Sequence, residues 1–219
     1  MARPNHSFAF YCSDGASRVV KFYSQKENLE LYPPDLVIYD GNREEVINTL
    51  SSLFEDRFLL FEHSRLNEAE LYRIHTSTSQ FIHSQLNKHS IDYLLCFGNK
   101  ILKKELVNEY QNRLINFHPA LLPSFKGLRA IDQALDYGAQ ILGNTVHYID
   151  EGVDTGPIIA QTSMLREDFE DYEDVLELQF PLMKLVLRDI LGFDIDDQEI
   201  IKELSHRKKP FLLPKSVAR

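Results

Sequence analysis

Short, wholly apolar runs recur along the chain, each followed by a stretch whose apolar residues return every three or four positions. The first is Ser7–Cys12, SFAFYC, which ends in SDGAS and leads into a helical segment over Ser17–Ser24. A run without polar alternation reads as a strand buried on both faces. The same reading places strands at Leu36–Tyr39, Phe58–Phe61, Ile91–Phe97 and Arg113–Phe117, and helices at Glu44–Leu53, Asn67–Lys88 and Lys103–Tyr110. In the long helix, Leu71, Ile74, Thr78, Phe81, Ile82 and Leu86 form one stripe, which is the mark of a helix packed along one face. Regular strand-helix alternation predicts an α/β, Rossmann-like fold, a mostly parallel sheet with helices on both faces.

Beyond His118 the pattern changes. Leu128–Tyr137 reads as a helix stopped by Gly138, and TVHYI and PIIAQT are strand-like runs separated by the turn-rich DEGVDTG. That predicts a hairpin or crossing loop added to the parallel sheet. Tyr172–Leu191 is a closing helix that Pro181 should kink or interrupt. Residues 1–191 are read as a single domain, and 192–219, ending in HRKKPFLLPKSVAR, as a mobile or loosely docked tail.

Composition narrows the function. The formal charge of -9 over 219 residues argues against a nucleic-acid surface, which needs clustered Lys and Arg. No apolar run is long enough for a membrane helix, and the N-terminus lacks the order of a signal peptide. The expected setting is the cytoplasm, and the expected state a monomer or homodimer. Cys12 and Cys96 are the only cysteines, so both are expected reduced near the ends of buried strands. His75, His83 and His89 share the long helix but bring no ligand set with them, and no metal is expected.

The candidate chemistry lies in two stretches, NFHPALLPSFKG from Asn116 and DEGVDTGP from Asp150. On a strand, residues i and i+2 face one side, so Asn116 and His118 can point into one cleft. An amide stabilises a developing oxyanion, an imidazole moves a proton near neutral pH, and Asp154 within reach would orient that imidazole. The set suits direct acyl transfer to an amine, with no Ser or Cys nucleophile. Residue types alone leave a second reading open, in which the three are turn formers and caps. The loop after the first strand, with Gly15, Ser17 and Arg18, can present N–H groups to an anion; a solvated Arg18 is the alternative.

INFHPALLPSFKG followed by TVHYIDEGVDTGPIIAQ resembles the folate-dependent formyltransferases, with consistent spacing from about Asp92 to Gln161 and more loosely over the N-terminal half. The resemblance implies that Asn116, His118 and Asp154 are catalytic, and that His147 stands where the family keeps a histidine. It implies transfer of the formyl group of 10-formyltetrahydrofolate to a primary amine through a tetrahedral intermediate, without a metal. The implied folate pocket takes Gly98, Asn99, Lys100, Ile101 and Leu102 from one segment and Asp150, Glu151, Gly152 and Val153 from another, with Lys100 toward the glutamate carboxylates. A cis Leu122–Pro123 bond is implied as well.

The departures fall on the acceptor side. The ribonucleotide enzymes of the family have a Gly- and Asn-rich phosphate loop where this chain has Ser13-Asp14-Gly15-Ala16-Ser17-Arg18, and Asp14 would repel a phosphate. Arg129-Ala130-Ile131 and Gln179-Phe180 replace a His-x-His pair and a Glu-His pair, while Ser64-Arg65 resembles a phosphate-contacting pair. Gly15, Ser17, Arg18 and Arg65 are the acceptor-binding candidates. The implied acceptor is glycinamide ribonucleotide or a related phosphorylated amine. A nucleotide-linked amino sugar, water as in a 10-formyltetrahydrofolate hydrolase, and a catalytically silent folate-binding protein are the alternatives.

Overall fold

The computed structural model describes residues 6–62, 71–205 and 211–214; the predicted helix start at Asn67 lies outside them. Contacts divide the chain into two compact units, residues 6–115 and residues 116–219.

In the first unit, β1 (Phe8–Cys12) is buried at every position. It pairs in parallel with β2 (Leu36–Tyr39) from Ala9 opposite Leu36, and with β4 (Tyr93–Phe97) from Phe8 opposite Tyr93. β3 (Phe58–Leu60) adds in parallel outside β2. The order β3-β2-β1-β4 is that of the doubly wound α/β sheets, whose ligands bind beyond strand C-termini where the order reverses. Here that point lies between β1 and β4, above Ser13 and Gly98. Two aspartates clamp the opposite end of β1: Asp92 accepts the Ser7 N–H at 2.9 Å and Asp35 accepts that of Phe8 at 2.9 Å. The helices of this unit are α1 (Ser17–Tyr23), α2 (Lys26–Leu31), α3 (Glu44–Phe54), α4 (Leu71–Lys88) and α5 (Lys104–Glu109). Tyr23 centres an aromatic cluster, edge-on to Phe10 at 5.7 Å and to Phe54 at 5.3 Å. Cys12 and Cys96 are buried free thiols.

β5 (Leu114–His118) carries the chain into the second unit, whose helix α6 (Ala130–Tyr137) ends on the left-handed Gly138. β6 (Ile141–Tyr148) and β7 (Ile158–Leu165) form an antiparallel pair, so the predicted hairpin is present with both strands longer than expected. The closing helix divides into α7 (Tyr172–Glu177) and α8 (Gln179–Asp189), and the break falls at Leu178 rather than at Pro181. Pro181 sits in the first turn of α8, where a missing N–H costs no helical hydrogen bond. Residues beyond 191, read as a tail, include α9 (Asp197–Ser205) and β8 (Phe211–Pro214), the latter antiparallel to β7. Phe193, Ile195 and Ile200 are buried, and Lys184 of α8 pairs with Glu203 of α9 at 3.1 Å. These apolar anchors outweigh the charged character that the tail reading rested on.

Candidate active site

β5 delivers Asn116 half-exposed and His118 buried, two residues apart on one face. The chain then leaves regular structure through Pro119 and a cis Leu122–Pro123 bond. Thr145 of β6 fixes this turn, its hydroxyl donating to the Ala120 carbonyl at 2.7 Å and accepting the Leu122 N–H at 3.0 Å. The loop closes at Gly127, whose φ of 80° is the left-handed region glycine occupies without strain. Its N–H donates to Asp154 Oδ2 at 2.8 Å. Asp154 itself takes φ 50°, a conformation that short polar side chains tolerate better than most.

The three expected residues therefore meet. His118 Nδ1 lies 3.3 Å from Asp154 Oδ2, and Asn116 Nδ2 donates to Asp154 Oδ1 at 3.4 Å. The other nitrogen of His118, Nε2, is 2.8 Å from the Phe125 carbonyl and donates to it. Burial pushes the His118 pKa down, against the pull of Asp154 and the Phe125 carbonyl, and the net direction is down. A neutral ring donating from Nε2 turns its Nδ1 lone pair toward the carboxylate. A proton arriving at Nδ1 is then held between imidazole and Asp154. Burial pushes Asp154 up, but His147, the Gly127 N–H and His118 outweigh it, so its pKa is lowered and it stays ionised.

His147, outside the expected trio, completes the cluster. It is buried on β6 at a register shift between Val146 and His147, and a bulge of this kind re-aims a side chain. Its Nδ1 donates to the Tyr148 carbonyl at 2.8 Å, which leaves Nε2, 3.2 Å from Asn116 Nδ2, to accept from that amide in the neutral ring. Protonated, the ring instead offers Nε2–H to Asp154 Oδ1 at 3.5 Å. The sequence signal for this role was the alternation of TVHYI, which puts His147 on the face of Thr145.

The other candidates distribute as follows. Asp150 folds its own loop, accepting the Gly152 N–H at 3.0 Å and the Thr155 hydroxyl at 2.7 Å; Glu151, Gly152 and Val153 are exposed. In the first unit, Asn99 donates to Asp14 Oδ2 at 2.8 Å, and Lys100 Nζ lies 3.7 Å from Asp40 rather than reaching into solvent. Leu102 is buried and Ile101 half-exposed. Gly15 lies between Asp14 and Ala16, both at positive φ, Ser17 opens α1, and Arg18 is buried with Nη2 donating to Ser17 Oγ at 3.4 Å. Arg65 and Ser64 lie outside the described residues. Among the described residues no cluster of His, Cys, Asp and Glu forms a metal set, and no helix is long and apolar enough to cross a membrane.

The family model described as "Formyl transferase" matches residues 18–177. Phosphoribosylglycinamide formyltransferase of Bacillus subtilis is 33% identical over 132 residues, 58% of this chain and 68% of its own length. The trifunctional purine biosynthetic protein adenosine-3 of Chironomus tentans is 43% identical over 81 residues, 36% of this chain but 6% of that protein. Among solved structures, glycinamide ribonucleotide transformylase 1 of Geobacillus kaustophilus superposes with a TM-score of 0.68 at 27% identity, covering 85% of this chain and 99% of that one. The resemblance carried by the two loops thus extends over most of the chain, which belongs to the formyl transferase family.

Proposed function

We propose that this chain transfers the formyl group of 10-formyltetrahydrofolate to the amine of glycinamide ribonucleotide. The observation that carries the reading is the meeting of Asn116, His118 and Asp154, with Asn116 and His118 both within 3.4 Å of the Asp154 carboxylate. The acceptor amine attacks the formyl carbon and the carbonyl electrons move onto oxygen. The Asn116 amide, whose two hydrogens face Asp154 Oδ1 and His147 Nε2, exchanges one of these partners for that oxyanion. The amine proton passes to His118 Nδ1 against Asp154. As the tetrahedral intermediate collapses, the bond from the formyl carbon to folate N10 breaks, and N10 takes up the proton. Gly98–Leu102 and Asp150–Val153 hold the folate, while Gly15, Ser17, Arg18 and Arg65 hold the acceptor.

The names of the relatives support this acceptor. The Asp14 carboxylate, bonded to Asn99 beside the first loop, favours a second reading in which the amine is carried on a nucleotide sugar bound elsewhere. The assay supplies 10-formyltetrahydrofolate with glycinamide ribonucleotide or with nucleotide amino sugars and follows tetrahydrofolate release. Turnover with the ribonucleotide alone is expected. Turnover only with a sugar moves the assignment to the second reading, and turnover without acceptor makes the protein a hydrolase. Folate binding without any turnover makes it a silent binder.

A further inference from the structure

The segment after β4 has no regular secondary structure, yet its backbone is held at three alternate positions. The Asn99 N–H donates to Ser13 Oγ at 3.2 Å, the Ile101 N–H to His75 Nδ1 at 3.2 Å and the Lys103 N–H to Ser79 Oγ at 2.9 Å. Two of the three acceptors stand one turn apart on α4, and the Ser79 hydroxyl donates back to the His75 carbonyl at 2.7 Å. Lys103 adds a third tether, its Nζ lying 4.2 Å from the centre of the Tyr72 ring on the same helix. At the other end, a Cβ on Gly98 would fall 2.1 Å from the Tyr11 ring, so only glycine lets the chain cross there. Tyr11 cannot yield easily, because its hydroxyl donates to Asp40 at 2.7 Å.

Irregular backbone keeps one conformation only where its polar groups are satisfied. This segment also sits where the strand order reverses, the place at which doubly wound sheets bind ligands, and it presents Ile101, 49% exposed, outward. We propose that His75 and Ser79 are positioning residues for the formyl-donor pocket: from α4 they accept the N–H groups of Ile101 and Lys103 and hold residues 98–103 in the shape that receives the donor. This inference rests on the assignment of Gly98–Leu102 to the folate. His75 can accept only through an unprotonated Nδ1. Burial, then the charges of Lys103 and Lys100 on the held segment, lower its pKa and favour that neutral ring. Protonation at Nδ1 turns the acceptor into a donor facing another donor, so acid releases Ile101.

The test compares the full chain with His75→Leu, His75→Asn, Ser79→Ala and Ile101→Asp, measuring donor KM, acceptor KM and kcat from pH 5.5 to 8. Loss of one such hydrogen bond is worth about a fivefold to tenfold change in affinity. His75→Leu and Ser79→Ala are expected to raise donor KM by about that factor, with acceptor KM and kcat unchanged. His75→Asn keeps an acceptor near the Nδ1 position. It is expected to hold donor KM at the wild-type value and to abolish the rise expected of the wild type on the acid side of neutrality. Unchanged donor KM in His75→Leu and Ser79→Ala, with donor KM raised by Ile101→Asp, overturns the clamp and spares the donor assignment. Unchanged donor KM in Ile101→Asp overturns that assignment and the clamp with it. If His75→Leu does not fold, His75→Asn decides: an acid-side rise parallel to the wild type overturns the proposal.

Discussion

At the scale of single residues, the site depends on one carboxylate serving several partners at once. Asp154 receives the Gly127 N–H, faces His118 and meets Asn116, so removing it leaves a proton arriving at His118 Nδ1 without its carboxylate and a loop without its tie. Alanine at Asn116, His118 or Asp154 is expected to lower kcat by about a hundredfold or more, the usual cost of losing an oxyanion donor or a proton carrier. Folded variants with near-normal kcat would sink the assignment. His147 faces the Asn116 amide at 3.2 Å, and the prediction is that it acts through Asn116. His147→Gln can still place an acceptor near Nε2, whereas His147→Leu cannot. The leucine variant is expected to lose roughly tenfold in kcat, as for one misdirected hydrogen bond, with both KM values kept and glutamine restoring most of the loss. Equal kcat in the two variants would reduce His147 to a packing role.

At the scale of elements, the end of the chain supplies a stability test. Lys184 on α8 is 7% exposed, with Glu203 at 3.1 Å and Glu199 at 3.8 Å, both from α9. Truncating one partner of a buried pair leaves a charge to be desolvated, and since Glu199 remains, Glu203→Gln is expected to cost about 2 kcal/mol. Urea unfolding measures it, and Lys184→Met in the same background should recover part of the loss; an unchanged midpoint in Glu203→Gln refutes the role. The elements differed in how legible they were. β1, β2 and β4 lie in a parallel sheet, and their unbroken apolar runs announced them. α2 leaves no periodic signal because Asn28 is its one buried residue, held by its amide to the Phe22 carbonyl at 2.8 Å. β6 begins ahead of the TVHYI run, and its Asn144 is wholly buried, donating to the Val175 carbonyl. Strand spacing could put Asn116 and His118 on one face, but choosing them with Asp154 as the site rested on the resemblance of the two loops to the formyltransferases. The Phe125 carbonyl on His118 could not, since backbone acceptors leave no mark in a sequence.

At the scale of the whole molecule, the polar groups that make the site also set its response to acid. His118 and His75 both have lowered pKa values, with burial the first cause in each. Above the ordinary histidine value of about 6.5, folded and unfolded chains hold these rings neutral and neither contributes. Below it the unfolded chain binds protons that the folded chain resists, so stability falls as pH drops toward the folded values. Asp154, lowered as well, adds a loss of the same sign at lower pH: its contribution is present above the ordinary carboxylate value and disappears as pH falls through the folded one. Net charge works in the opposite direction. The chain carries -9 at pH 7 and approaches neutrality near pH 5.4, so self-repulsion relaxes over the same interval. The difference between wild type and a variant cancels this common background. The double variant His75→Asn, His118→Asn is expected to lose less Tm than the wild type between pH 7 and pH 5, as followed by thermal unfolding. Parallel Tm curves for the two proteins would show that neither imidazole is held neutral by the fold, and would remove the basis for a neutral His118 that receives the amine proton.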